Sequence, residues 1–477
     1  MSSGTILIIF FAIMLVAIFN GTPVFTALGF TAVAGIIVWV GVKQLGQMGI
    51  IAYTNTTNYN LIILPMFIML SEFLTRGKIA EDIYAVLNKA VGRYKGGLAI
   101  ATTLACTIFA ALCGSSPATA ASIGRISIDE MIKRGYSPDF AVGTVAAGGT
   151  LGIMIPPSVT FCIFAILTEN SIVRLFMAGI IPGIMLAALL IISIKVRTKL
   201  NPKLINYTPK DGEQKYAGEM SLDEARDIAK TAKLTARAEI GGVEEEEDII
   251  ANSPTVEKVE DKGPTFFTIL PACVLILLVL GSMYFGWATP FEAAGYGVVG
   301  AFVILVVKKR MTKTIFASAL LNSARTGCMM MFLVICGMSM TFVVSYLGLP
   351  QEISAAIAES GLNKYVVLIM IYILWLILGA LMEPTSMVLL TIPFLYSTLV
   401  GMGFDAMWIG VVLVVGSQIA MITPPVGLNL FVLKANTTIP MRLIIKGALP
   451  YVGVLLIGLA ILTVFPQLAT FLPSRMF

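Results

Sequence analysis

Histidine is absent from this chain of 477 residues, and charged side chains make up only 12% of it. Without imidazole there is neither a histidine metal site nor a histidine proton relay. The six cysteines (Cys106, Cys113, Cys162, Cys273, Cys328 and Cys336) lie in apolar segments and form no CxxC pair. They read as small packing residues rather than as ligands or redox pairs. The chain also lacks an HExxH motif, a GxS nucleophile with a basic partner, and an aspartate pair set inside an apolar run. Those absences speak against an intramembrane enzyme. No charge occurs before Lys43. A cleavable signal would begin with a basic stretch, so Thr5–Phe19 reads as a first membrane span.

What is present is apolar. Hydrophobic residues reach 57%, against about 45–50% in a typical globular chain. Runs of about 18 or more apolar residues recur, as in a multi-span membrane protein. The lipid bilayer is therefore the first expected partner. The net charge of +5 belongs at membrane edges, and nucleic acid is not an expected partner. One region departs from this pattern. Residues 201–264 are polar, carry the acidic run Glu244–Asp248, and include SLDEARDIAKTAKL at Ser221–Leu234, which reads as an exposed helix with a Ser221/Glu224 capping box. This region reads as a linker between two membrane halves, 1–200 and 265–477.

The halves resemble each other. Thr22-Pro23 matches Thr289-Pro290. CGSSPATAAS around Pro117 matches LMEPTSMVL around Pro384. GIMIPPS at Pro156 matches MITPPVG at Pro424. The three proline landmarks keep their spacing to within one residue, which marks an internal repeat. The expected fold is an all-α integral membrane protein of two inverted repeats. Each has about five transmembrane helices and one re-entrant hairpin, at 97–132 and 365–400. Each also has a broken helix, at 138–168 and 405–436. Five crossings per half invert the second repeat. Lys and Arg agree: with the central loop inside, those between 76 and 95, at 133–134, at 308–313 and at 442–446 fall on the cytoplasmic side. Both termini are then periplasmic.

Proline breaks a helix interior, and a broken backbone in hydrocarbon is tolerated only where it lines a polar cavity or is buried in protein. Discontinuous helices at matching positions of two halves point to a secondary transporter. The freed carbonyls can ligate Na⁺, and half-helix N-termini can face an anion. Hydroxyls at Ser115, Ser116, Thr119, Ser158, Thr385, Ser386 and Thr423 supply oxygen without fixed charge. Gly114, Gly152 and Gly427 permit close backbone approach. For any one break the alternative is a kink with small-residue packing; four repeat-related sites favour a functional centre. Glu383 at the second hairpin tip is either a cation ligand or a lock for the tip. Arg125 is either a substrate contact or an edge residue paired with Asp129. Glu292 is expected to cap the helix after Thr289-Pro290.

The segment GSSPATAASIGRISIDEMIKRGYSPDFAVGTVAAGGTLGIMIPPS, with LMEPTSMVLLTIPF and SQIAMITPPVGLNLF in the second half, resembles the large, DctM-like membrane subunit of the tripartite ATP-independent periplasmic (TRAP) transporters. The resemblance covers nearly the whole chain except about 205–262. It implies Na⁺-coupled symport of an organic acid anion (a C4-dicarboxylate, sialic acid or another carboxylate) across the bacterial inner membrane by an elevator mechanism. It implies two protein partners, a periplasmic substrate-binding protein and a small four-helix, DctQ-like membrane subunit. Na⁺ is the coupling ion, with no organic cofactor. Together with the repeat, it assigns Na⁺ to Gly114, Ser116, Thr119, Gly152, Pro156, Glu383, Thr385, Thr423, Pro424 and Gly427. It assigns substrate to Ser115, Ser116, Arg125, Ser158, Thr385 and Ser386. The rival readings are a stand-alone Na⁺/carboxylate symporter, a Na⁺/H⁺ antiporter of similar architecture, and a passive channel.

Overall fold

The computed structural model describes residues 9–207 and 266–476, apart from 11, 15 and 19. The expected linker 201–264, with its acidic run and the helix at 221–234, lies outside the described residues but for 201–207. The expected first span lies partly outside them. Among the described residues the chain is helical, with no strand.

The first half runs α1 (Val24–Gly35), α2 (Gly46–Thr56), α3 (Tyr59–Arg76), α4 (Ile79–Val91), α5 (Gly97–Cys113), α6 (Ser116–Lys133), α7 (Pro138–Thr150), α8 (Val159–Thr168) and α9 (Ile172–Leu200). The second half runs α10 (Leu270–Tyr284), α11 (Pro290–Val307), α12 (Lys313–Tyr346), α13 (Leu349–Glu359), α14 (Lys364–Leu381), α15 (Pro384–Gly401), α16 (Ala406–Met421), α17 (Leu428–Asn436), α18 (Met441–Val464) and α19 (Gln467–Thr470). The succession from α4 to α9 recurs from α13 to α18. It comprises a short helix, two helices joined at a tight turn, two helices joined at a Pro-Pro break, and one long helix.

Among the described residues six helices are long and apolar enough to cross a membrane: α9, α11, α12, α14, α15 and α18. The broken pairs are different. α7 has 13 residues and α8 has 10, about 20 and 15 Å at 1.5 Å per residue. Neither spans a hydrocarbon core of about 30 Å alone.

Local chemistry sets the helix starts. Thr289 begins α11 with a reciprocal cap: its Oγ1 accepts from the Glu292 N–H at 3.3 Å, and Glu292 Oε2 accepts from the Thr289 N–H at 2.8 Å. Two orphan amides are satisfied by one pair of side chains, so Glu292 takes the capping role.

Helices α2, α4, α13 and α19 were not foreseen in the sequence, and of these α4 and α13 pack between the larger helices. Both are short and amphipathic, and both carry charge. Ile79, Ala80, Ile83 and Tyr84 bury one face of α4. Asp82 in its first turn accepts from Arg310 Nη1 at 2.8 Å and Nη2 at 2.9 Å, and also pairs with Lys308. Arg310 further donates to the Gly77 carbonyl at 3.0 Å, and Lys308 to the Thr268 carbonyl at 3.0 Å. A bidentate arginine–carboxylate pair fixes geometry as well as charge. It holds the start of α4 against the end of α11.

The packing divides into two groups. Helices α1, α3, α11 and α12 pack on one another, while α5–α9 interlock with α14–α18. Helix α4 packs against α5, and α13 against α15, so both lie between the groups. Within the second group the halves intertwine: α6 packs on α17, and α8 on α15. Each hairpin's return arm thus meets the distal half-helix of the other half. Residues 201–207 leave α9 tied to the turn before α7. The Ser137 N–H donates to the Leu204 carbonyl at 3.0 Å, and the Tyr207 N–H to the Gly135 carbonyl at 2.8 Å.

Candidate functional site

The first hairpin tip is built by a glycine and a serine. Gly114 closes α5 with φ of +66°, a conformation that costs other L-residues about 1–2 kcal/mol. Ser115 follows in extended conformation and starts α6, with Pro117 in its first turn. Proline is tolerated there because the amide it lacks would be unpaired anyway. A Cβ on Gly114 would collide with the Pro157 carbonyl oxygen. The tip therefore lies directly on the first proline break.

The break meets the tip from its other side. After α7 a short 3₁₀ turn, Leu151–Ile153, leads into the prolines. A Cβ on Gly152 would collide with the Ser115 carbonyl oxygen and lie 2.7 Å from Thr119 Oγ1. Thr119 donates that hydroxyl to the Ser115 carbonyl at 2.8 Å. Ser158 restarts the helix as the N-cap of α8. Its Oγ accepts from the Phe161 N–H at 3.4 Å and donates to the Ile153 carbonyl at 2.7 Å. The structure thus brings Gly114, Ser115, Ser116, Thr119, Gly152, Pro156 and Ser158 to one buried place. Every residue from Leu151 to Ser158 is buried.

The second centre has the same plan with different residues. Met382 and Glu383 form the extended turn between α14 and α15, and Glu383 is the half-buried N-cap residue of α15. Pro384, Thr385 and Ser386 open α15 and are buried. The last turn of α14, just before the tip, contacts its own break through the Gly427 N–H, which donates to the Ala380 carbonyl at 3.3 Å. Gly427 itself has φ of +61° and starts α17 without a side-chain cap. Thr423 donates its hydroxyl back to the Ile419 carbonyl at 2.6 Å. Both Pro-Pro bonds, 156–157 and 424–425, are cis. Thr385 Oγ1 is buried without a hydrogen-bond partner, which normally costs about 1–3 kcal/mol.

Arg125 stands apart. It is exposed on α6, nine residues past Ser116 and therefore about 13 Å along the helix. Among the described residues no ion pair joins it to Asp129.

Two residues absent from the sequence assignment connect the centres. Asn429, fully buried on α17, donates from Nδ2 to Ser116 Oγ at 2.8 Å and to the Ala146 carbonyl at 3.2 Å. Its Oδ1 accepts from Ser116 Oγ at 3.1 Å. Gln418, fully buried on α16, donates from Nε2 to the Thr150 carbonyl at 3.0 Å, while its Oε1 has no partner. Both lie inside the motif SQIAMITPPVGLNLF. One signal was available: Thr150 and Gln418 are 268 residues apart, as are Pro156 and Pro424. Repeat-equivalent positions therefore touch across the middle of the molecule.

The arrangement holds buried oxygen atoms, helix termini and two backbone breaks, with no imidazole. Among the described residues no group of three or more His, Cys, Asp or Glu is placed to hold a metal ion. The oxygen set is of the hydroxyl and carbonyl kind that suits a hard monovalent cation.

Comparison with known proteins gives a consistent result. A family model described as "Tripartite ATP-independent periplasmic transporter, DctM component" matches residues 11–468. The C4-dicarboxylate TRAP transporter large permease protein DctM of Pseudomonas aeruginosa is 33% identical, covering 90% of this chain and 89% of that one. The sialic acid TRAP transporter large permease protein SiaM of Vibrio cholerae is 27% identical, covering 96% of each. The isethionate TRAP transporter permease protein DctMQ of Oleidesulfovibrio alaskensis is 29% identical, with 97% of this chain and 65% of that protein covered. Among solved structures, the YdaH transporter of Alcanivorax borkumensis superposes with a TM-score of 0.56 at 15% identity. That match covers 92% of this chain and 90% of that one, and it is a similarity of fold.

Proposed function

This chain belongs to the DctM component family of the tripartite ATP-independent periplasmic transporters, and on that premise we propose that it imports an organic acid anion together with Na⁺. It is a membrane-spanning permease, not an enzyme. In our reading the substrate arrives from a periplasmic binding protein, and a small membrane subunit packs beside the chain. The relative named DctMQ is consistent with such a neighbour. The substrates named for the relatives above are C4-dicarboxylate, sialic acid and isethionate, all anions, and an anion is what this chain would carry.

The single observation that carries the reading is the double construction of the centre. In each half the end of the first hairpin helix lies on its own proline break, at Gly114 against Pro157 and at Ala380 against Gly427. We read the halves as inverted repeats, with substrate between the tips and one Na⁺ site at each. The first would use Gly114, Ser116, Thr119, Gly152 and Pro156. The second would use Glu383, Thr385, Thr423, Pro424 and Gly427. Ser115, Ser158 and Ser386 then border the substrate, and Arg125 lies outside this centre. The interlocked group α5–α9 with α14–α18 is the body that moves in the elevator reading, and α1, α3, α11 and α12 are its support. The central linker is cytoplasmic and the termini periplasmic.

The electrostatics favour coupling. Moving one negative charge inward against 100 mV costs about 2.3 kcal/mol, and each Na⁺ entering with it offsets that amount. A tenfold Na⁺ gradient adds about 1.4 kcal/mol per ion. A dianion needs two Na⁺ to move without net charge, and two centres supply two sites.

The test is uptake of labelled organic acids into proteoliposomes that hold this chain and its small subunit, with the binding protein outside and a Na⁺ gradient imposed. Uptake requiring both Na⁺ and binding protein supports the proposal. Uptake with Na⁺ alone makes the chain a stand-alone symporter. Na⁺ efflux on a pH jump without uptake makes it an antiporter.

A further inference from the structure

We propose that Asn429 of the second half is a positioning residue for the Na⁺ centre of the first half, acting through the Ser116 hydroxyl; this rests on the Na⁺-coupled reading above.

The argument begins with the amide's orientation. The Ala146 carbonyl can only accept, and it lies 3.2 Å from Asn429 Nδ2. That contact fixes the NH₂ end towards α7 and leaves Oδ1 as an acceptor. Ser116 Oγ then donates its one proton to Oδ1 at 3.1 Å and accepts from Nδ2 at 2.8 Å. A hydroxyl has one proton and two acceptor lone pairs. With the proton and one lone pair held by Asn429, the second lone pair has a fixed direction. A serine at a hairpin tip without such a partner would rotate its proton freely, including towards a cation. Asn429 therefore presets Ser116 as a cation ligand and relieves the centre of ordering the hydroxyl on binding.

The geometry around the pair supports a role beyond packing. Both residues have no exposed surface, so water does not compete for these bonds. Gln418 reaches the same centre from the same half, donating to the Thr150 carbonyl at 3.0 Å, where α7 ends. The first centre is thus held at its tip, through Ser116, and at its break, through Thr150. The repeat does not supply a reciprocal brace. With the offset of 268 that relates the breaks, the position equivalent to Asn429 is Phe161, which has no side-chain hydrogen bond to give. The brace therefore runs one way, from second half to first.

The test is a double-mutant cycle in the Na⁺-driven uptake assay, with Asn429→Ala, Ser116→Ala and the double variant. The Na⁺ concentration for half-maximal uptake and the maximal rate are measured separately, each normalised to chain present in the membrane. Asn429→Ala is expected to raise the half-saturating Na⁺ concentration about 3- to 10-fold, the worth of one or two neutral hydrogen bonds, with the maximal rate changed less than twofold. Adding it to Ser116→Ala should then have little further effect, because both remove the same coupled unit. Multiplying effects of the two single changes would overturn the proposal, as would a fall in rate at unchanged Na⁺ dependence, which marks a merely structural role. A wild-type protein indifferent to Na⁺ would overturn the coupling reading and this proposal together, whereas a Na⁺-dependent wild type with multiplying effects overturns this proposal alone.

Discussion

The two proline breaks share a sequence device but not surroundings. Residues 151–158 are buried without exception, whereas Thr423 and Pro424 are half-buried and Pro425 is exposed. The first break restarts its helix on a capped serine, Ser158. The second restarts on Gly427, with positive φ and no side-chain cap. The repeat reproduces the backbone interruption, since proline and glycine dictate it alone. It does not reproduce the side chains that close around it. Asn429 and Gln418 reach from the second half to the first, and their repeat partners, Phe161 and Thr150, return no side-chain bond. The two breaks are thus alike in backbone and unlike in surroundings, the first closed and the second partly exposed.

This inequality can be broken by substitution, with the largest effect expected at the glycines. Gly152→Ala forces a methyl group into the Ser115 carbonyl and Thr119 hydroxyl. Overpacking a closed site costs about 1–3 kcal/mol, and uptake should fall at least tenfold at equal membrane abundance. Gly427→Ala strains φ, but meets mainly the flexible end of Leu430, at 2.9 Å, and should retain more uptake. The reverse ranking would show that the buried centre is not the demanding one.

Next come the direct substitutions Ser116→Ala, Pro157→Ala and Thr423→Ala. Each is expected to reduce Na⁺-dependent uptake without loss of membrane insertion, as measured by transport beside quantitative membrane blots. Ser116→Ala should be the more severe of the two hydroxyl losses, because it also removes the donor to the buried Asn429 Oδ1, while Thr423 already spends its proton on Ile419. Normal uptake in all three would remove the centre.

A smaller effect is expected from Ser158→Ala. Loss of an N-cap costs about 1 kcal/mol and also leaves the Ile153 carbonyl short of a donor. The thermal midpoint should drop by a few degrees and uptake by a few-fold. No cap of this kind exists at the second break, so Gly427→Ser tests whether adding one there is tolerated.

Smallest of all is Glu292→Gln. Glutamine keeps the capping box but removes the charge near the helix start, where solvent screens it at this exposed position. Only the melting temperature should move, and transport should not.

How much of this was legible in the sequence depended on distance along the chain. The Glu292 cap, the glycine turns and the proline breaks are written within a few neighbouring residues, and the α5/α6 and α14/α15 turns sit at GSSP and MEPT as the prolines required. The helices α4 and α13, with 13 and 11 residues and charges on one face, match neither the pattern of a span nor that of a loop. The Asp82–Arg310 pair that holds α4 joins residues 228 apart, which no local pattern announces. Asn429 and Ser116 are 313 apart; the motif contained the asparagine, but not its direction. Arg125 is a charge in an apolar arm, and helical rise places it about 13 Å along α6 from Ser116.

The central claim is that substrate and Na⁺ enter together through two unequal centres. Its most direct test is simultaneous uptake of radiolabelled sodium and labelled substrate in the reconstituted system, in wild type and Ser116→Ala. The account predicts that each substrate dianion enters with at least two Na⁺, and that Ser116→Ala raises the Na⁺ needed for both fluxes in parallel. Substrate accumulation with no accompanying Na⁺ entry would contradict it.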